Sequence, residues 1–477
     1  MTVLPVLAID LLIVAGLAAL GLALVRLILG RPGPLESASL AFPVGSGAFT
    51  WLLFLLSWAK VPLSPGTILL AYALALGLLF ALVRLTRSAR LPAGDTPQSS
   101  EADGHARVYR AGLLASAVIF LAIMGPLAIL KAHSYWDAAA GWIVGGYGIA
   151  LEGDIRAGQT WGAWGLSYPL NIPLQATLFR LFDGDRLPGS MLVFPIYGLS
   201  LAVGAYRFWR RQAVGELQSL VGMLLMLTNP LVLLHSSVGY ANLPTTAYLV
   251  LGACWMIEGL AKARHSNVIL GSLLLGLAGW TRAEAVSYGL VLLPALLLLA
   301  RGVRKRWISV GGVLLPFAIL VGIWFVFGGT AVRESKLGGA VGSVVPAMQS
   351  GEFRLFELYL IPRLLAVRAL EPKTWGYLFP IAGVLCLAGL SRLFRRPAGF
   401  QQWAMVVTTA IFAAIPVGLF YIQSFTFPDH FIPLLNRSFD RAFLPAATMV
   451  LVLGFTLFFG RDGADGISGA ATPAPAQ

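Results

Sequence analysis

The chain has 477 residues, of which 58% are hydrophobic and 12% charged, and its mean hydropathy is +0.80. Those values exclude an ordinary soluble domain and point to an integral membrane protein. The net charge of +13 does not mark a nucleic-acid binder, because the basic residues sit in short turns between apolar runs and not in a polar basic domain.

The apolar runs approach the roughly 20 residues a helix needs to cross a hydrocarbon core, and they carry Gly and Pro too freely for barrel strands. The expected fold class is all-α, a polytopic membrane helical bundle. Thirteen spans are predicted, over 3–29, 38–59, 65–86, 110–131, 189–208, 214–234, 242–261, 267–282, 285–301, 307–328, 373–391, 402–423 and 442–460. The first 25 residues hold no Lys or Arg, so the basic region of a cleavable signal peptide is missing and the first run reads as a retained span.

The first three spans read as an N-terminal membrane unit, 1–86. A polar stretch over 87–109, containing RSARLPAGDTPQSSEADGHAR, reads as a disordered cytoplasmic linker to a membrane catalytic domain, 110–460. The end of the chain, 461–477, reads as a disordered cytoplasmic tail. With the N-terminus outside, 20 of the 34 basic residues fall in the inner turns, among them Arg207, Arg211, Lys262 and Arg304, as the positive-inside rule requires. Arg outnumbers Lys 28 to 6, a bias shared with GC-rich bacterial genomes, so the expected location is the bacterial inner membrane. Cys254 and Cys386 lie inside spans without metal-ligand spacing and read as packing residues.

Outer loops are expected at about 132–188, 330–372 and 425–440. The first opens with HSYWDAAAGWIVGGYGIALEGDI (133–155) and continues to YPLNIPL (168–174). A carboxylate just beyond a span is costly there, which makes Asp137 the first functional candidate. Read as a helix from about Ser134, the loop puts Trp136, Ala140, Ile143, Tyr147 and Leu151 on one apolar face. Asp137 then heads a strip with Gly141, Gly145 and Gly148, suited to close helix packing or to a ligand chain. N-capping is the competing role for Asp137. In the second loop, FRLFELYLIPRLLAVRAL (353–370) has helical spacing and is expected to lie along the membrane interface. Trp136, Trp142, Trp161 and Trp164 read either as an interfacial belt or as sugar-stacking rings. His133, His235 and His430 are scattered near the same face.

WDAAAGWIVGGYGIALEGD followed by YPLNIPL resembles the signature of bacterial GT-C superfamily membrane glycosyltransferases, of the group related to dolichyl-phosphate-mannose-protein mannosyltransferases. The resemblance extends to GYANLPTTAYLVLG (239–252), LLLGLAGWTRAEA (273–285) and RSFDRAFLPA (437–446), so it covers about 114–457. The chain departs from the pattern at Asn242, where the family carries Asp. Where the family carries Lys-Asn-Glu-Gly this chain has Arg282, Ala283, Glu284 and Ala285, so it keeps the Glu and departs at the other three positions.

The resemblance implies a GT-C-type bundle with loop helices and an active site on the outer, periplasmic face. It also implies transfer of a hexosyl or pentosyl group from a polyprenyl-phosphate sugar donor to an acceptor hydroxyl on a glycan, lipid or protein. A hydroxyl needs a carboxylate to take its proton, a role assigned to Asp137 with Glu284 as the second catalytic candidate. The leaving phosphate needs fixed cations, for which Arg282, Arg437 and Arg441 are the candidates. Trp136, Tyr168, Asn171, Glu152 and Asp154 are the substrate-binding candidates, and a divalent cation, Mg or Mn, is an open possibility. Two other classes stay open here. One is a transporter or flippase of a lipid-linked or small solute, which the lack of an internal repeat disfavours. The other is an O-antigen ligase- or polymerase-like enzyme resting on Arg and His.

Overall fold

The computed structural model describes residues 3–89, 104–132, 137–157, 161, 168–184, 188–300, 308–333, 346, 349, 354–395, 399–426 and 431–460. Every regular element among them is helical. In chain order these are α1 (Val3–Leu29), α2 (Pro34–Trp58), α3 (Pro65–Ala89), α4 (Gly104–Leu130), a π-helical turn (Asp137–Trp142), α5 (Ile143–Glu152) and α6 (Asn171–Asp183). A short 3-10 turn (Gly189–Leu192) leads into α7 (Val193–Arg211), α8 (Glu216–Leu227), α9 (Pro230–Ser237), α10 (Asn242–Ala261), α11 (His265–Thr281), α12 (Ala285–Ala300) and α13 (Ile308–Arg333). The chain closes with α14 (Leu355–Ala369), α15 (Pro372–Trp375), α16 (Leu378–Arg395), α17 (Phe400–Thr426), α18 (Phe431–Ala442) and α19 (Leu444–Phe459).

Among the described residues, eight helices are long and apolar enough to cross a membrane. A ninth crossing results if α8 and α9 count together, although they bend by 57° where Asn229 caps the start of α9 and Pro230 opens it. The linker expected over 87–109 is helical at both margins, up to Ala89 and from Gly104, because the apolar runs on either side draw the polar flanks into their helices. Its middle, 90–103, and the expected tail, 461–477, lie outside the described residues.

The most deeply enclosed helix is α10, whose crossing window is wholly buried, whereas that of α3 is only 11% buried and so faces outward. The first helices are joined closely to the rest. α1 and α2 cross at Gly21 and Gly45, where a Cβ on either would run into backbone of the other helix, so the two backbones touch. α2 in turn sends Ser46 to Tyr197 at 2.6 Å and Thr50 to Asn171 at 2.7 Å, both buried.

One end of the bundle holds the contacts of Ser57 with Ile155, Tyr168 with Glu284, and Arg441 with Tyr240 and Asp137. The other end gathers the charged groups Glu36, Arg207, Arg211, Glu258 and Lys262. α14 lies over the described part of the second expected outer loop. It buries Ile361 and leaves Leu355, Phe356, Tyr359 and Val367 exposed, the pattern of a helix with an unfilled apolar side.

Candidate functional site

The end of the bundle that carries Asp137 holds a cavity of about 180 Å³. Its polar lining is Tyr168, Asn242, Thr245, Arg282, Glu284, Gln423, Ser438 and Arg441, and its apolar lining includes Leu249, Pro416, Leu419, Phe420 and Leu434. Asn242, Thr245 and Leu249 are successive positions on one face of α10, so the cavity descends about 10 Å along that helix. A charged mouth thus leads down between apolar walls from α10 and α17.

Two arginines define the mouth. The break between α11 and α12 produces the first: Arg282 leaves the helix in an extended conformation (φ −146°, ψ 138°), and the next helix starts at Ala285. Arg282 Nη2 and Nε donate to Glu284 Oε1 and Oε2 at 3.1 and 3.3 Å, a two-pronged pair within three residues. Tyr168 Oη adds a third donor to Glu284 Oε1 at 3.1 Å, and the Tyr168 ring packs edge-on against buried Trp142 at 5.4 Å.

The second arginine comes from the amphipathic helix α18, which buries Phe431, Leu435 and Phe439 and turns Arg441 toward the cavity. Arg441 Nη1 donates to Asp137 Oδ2, pairing residues 304 apart in the chain. Arg441 Nη2 donates to Ser438 Oγ at 3.0 Å, and the guanidinium sits 5.4 Å from the Tyr240 ring centre. Asn242 Nδ2 donates to the Arg441 carbonyl at 3.3 Å. Held from four sides, Arg441 has little freedom to lose on meeting an anion.

Burial pushes the Glu284 carboxyl upward, but the charge and hydrogen bonds of Arg282 outweigh it and hold the group below its ordinary range. Glu284 is therefore anionic at neutral pH with both oxygens engaged, an orienting carboxylate for Arg282. Burial lowers the Arg282 value while the neighbouring Glu284 raises it by more, so the guanidinium stays charged. The Tyr168 phenol is raised by burial and by Glu284, which keeps it a donor.

Of the sequence candidates, Asp137, Tyr168, Arg282, Glu284 and Arg441 come together here. Asp137 is the first residue of the π-helical turn, and the hydrogen bond of its side chain runs across the site to Arg441. Asn171 does not face the cavity: it is fully buried and bonded to Thr50, Gln175 and Thr281. Arg437 is exposed one turn before Arg441 and lies off the cavity lining. Glu152 accepts from Trp161 Nε1 at 2.8 Å, and Asp154 pairs with Arg156 at 3.1 Å on the surface, so neither acidic group turns toward Asp137. Trp136, His133, Trp164 and His430 lie outside the described residues. His235 is buried with its ring against Tyr240 at 5.7 Å.

Of the expected glycine strip, Gly148 abuts the Trp161 ring, where a Cβ would meet it, while Gly145 borders open space; Gly146, outside that strip, abuts the start of α6. Tyr288, Tyr240, Ser438 and Gln423 were missing from the sequence candidates. Tyr288 was discoverable, since it stands one helical turn after Glu284 and repeats its face.

Asp137 and Glu284 are each taken by an arginine, and among the described residues no three His, Cys, Asp or Glu side chains gather. That donor set does not fit a Mg or Mn ion, which prefers several oxygen ligands free of competing cations. No family model, no curated protein and no solved structure matches the chain.

Proposed function

We propose that the chain is a GT-C-type membrane glycosyltransferase that moves a sugar from a polyprenyl-phosphate donor to an acceptor hydroxyl at the periplasmic face of a bacterial inner membrane. In this reading thirteen helical segments cross the bilayer. The eight long ones are joined by the bent α8–α9 pair, by α11 and by the shorter apolar helices Ala285–Ala300, Val313–Phe327 and Leu378–Phe394. α14 rests on the interface with its exposed apolar side toward lipid.

The observation that carries the reading is the cavity: two fixed guanidiniums at a mouth that continues between apolar helix walls. An amphiphile with an anionic phosphate and a hydrocarbon chain matches both parts. Arg282 and Arg441 bind the phosphate, Glu284 and Tyr168 hold Arg282, and Leu249, Leu419 and Phe420 receive the first apolar units of the chain. The remaining length of a prenyl chain stays in the bilayer, since the cavity is of headgroup size.

The acceptor oxygen forms a bond to the anomeric carbon as the bond from that carbon to the phosphate oxygen breaks. The phosphate leaves with the bonding pair, and the two guanidiniums stabilise the charge it gains. The hydroxyl proton passes to Asp137, a contribution of about 10²–10⁴-fold. The acceptor class is a glycan, lipid or protein hydroxyl, and no step runs through a metal ion.

A carrier for a lipid-linked solute is the second reading, favoured by the 57° bend between α8 and α9, since carriers use broken helices. One experiment separates the two. Purified protein in lipid is incubated with labelled polyprenyl-phosphate sugars and membrane extract, beside Asp137→Asn. Transfer that falls at least about 100-fold in the variant, with its melting temperature kept, is the expected result. Donor translocated across vesicles without transfer would replace the enzyme with the carrier.

A further inference from the structure

The segment Tyr168 to Asn171 reaches the break between α11 and α12 at two points. Tyr168 donates to Glu284 Oε1 at 3.1 Å, and three residues later Asn171 Nδ2 donates to Thr281 Oγ1 at 2.7 Å. Thr281 and Glu284 are also three residues apart, and Arg282 lies between them. The two contacts therefore bracket the residue that directs a guanidinium into the cavity.

The Asn171 contact is built to be rigid. Its Oδ1 lies 2.9 Å from Gln175 Nε2 and 2.7 Å from Thr50 Oγ1, so the carboxamide is tied to α2 and to its own helix. Thr281 gives its hydroxyl proton to the Leu277 carbonyl at 2.7 Å, which leaves its oxygen to accept from Asn171. Trp280 Nε1, one residue earlier, donates to Thr50 Oγ1 at 3.2 Å. Asn171 and Thr281 are both fully buried, so water does not compete for these bonds.

We infer that Asn171 is a positioning residue, the inner jaw of a two-point clamp with Tyr168 that sets the direction of Arg282, and so governs anion binding at the cavity without touching the ligand. What Arg282 binds rests on the glycosyltransferase reading; the clamp itself does not. Asn171 controls the backbone just before Arg282, and Tyr168 controls the carboxylate just after it. Loss of either jaw lets the 281–284 corner swing while the helices on both sides stay packed.

The test uses the full chain in lipid nanodiscs with Asn171→Ala, Thr281→Val and Thr281→Ser. Hydrogen–deuterium exchange, which needs no ligand, is read first. Faster exchange confined to 281–287 in Asn171→Ala and Thr281→Val, with the melting temperature kept, is expected. Unchanged exchange there, or loss of protection through the whole bundle, overturns the clamp. Binding of sugar-free polyprenyl phosphate is then measured by tryptophan fluorescence. Thr281→Val should weaken it about tenfold, as expected when a buried donor loses its acceptor, and Thr281→Ser, which restores the hydroxyl, should return it to the parent value. Equal affinity in Thr281→Val and the parent overturns the link from clamp to ligand. If the parent protein binds no polyprenyl phosphate, the donor reading falls, and the exchange data decide the clamp by themselves.

Discussion

Two charged clusters sit near opposite ends of α10, beside Asn242 and Glu258, about 24 Å apart along the helix. In the Glu258 cluster Arg207 lies between two carboxylates, bonded to Glu258 and to Glu36 at 2.9 Å, with its guanidinium 3.8 Å from the Trp255 ring centre. Arg211 and Lys262 close over the same carboxylates at 2.8 and 3.5 Å. The side chains of Arg207, Glu36 and Glu258 are 5%, 9% and 0% exposed. At the other end the four paired side chains Asp137, Arg441, Arg282 and Glu284 are 17–27% exposed, and three of them line a cavity. Charge inside a membrane bundle is usually a functional signal, yet here it marks both places equally. Unfilled space beside the charge separates the site from the fastening. The Arg207 cluster joins α2, α7 and α10 and leaves its donors spent on neighbours, whereas the Arg441 and Arg282 pairs adjoin room for a third party.

The largest effect is expected at Arg207. Removing it leaves two buried carboxylates without their central cation, so Arg207→Ala should cost about 3–5 kcal/mol of stability, measured as thermal unfolding and yield in detergent. A variant that melts like the parent would mean that this cluster is not the fastening described. Arg441→Ala should do the reverse. Its partner Asp137 is partly exposed and tolerates the loss, while polyprenyl-phosphate binding weakens by about 10–100-fold, the range for a charged hydrogen bond. Unchanged binding with lowered melting temperature would make the two clusters alike. The smallest effect belongs to the acidic groups outside both clusters: Glu152→Gln and Asp154→Asn should change stability by less than about 0.5 kcal/mol and leave sugar transfer within about twofold. A large loss of transfer in either would extend the site toward α5.

Asn171 and Arg207 show where reading the chain reached its limit. Asn171 stands in the same short motif as Tyr168, and proximity in sequence made both ligand-facing candidates. Asn171 is the first residue of α6, and the start of that helix carries it into the bundle, where Thr50 and Thr281 surround it. Arg207 reads as one of several basic residues near a turn, but at 4% exposure it is an interior group, because α2 and α10 deliver carboxylates from 171 and 51 residues away. Arg437 and Arg441 look equivalent in RSFDRAF, since the charge pattern of that string does not say which side of α18 the bundle covers. Burial of Leu435 and Phe439 leaves Arg437 outside and brings Arg441 to the cavity.

Residue order alone specifies the membrane class, the helical character and the approximate extent of the apolar segments, since each follows from the hydropathy of about 20 adjacent residues. It also determined which residues break that hydropathy at the ends of helices, Asp137, Arg282, Glu284 and Arg441 among them. That Asp137 meets Arg441, that Glu284 turns back on Arg282, and that a cavity lies between α10, α12, α17 and α18 emerges from the packing of the helices. Hydropathy is a local sum along the chain. Ion pairing and empty volume depend on how helices hundreds of residues apart are set against one another.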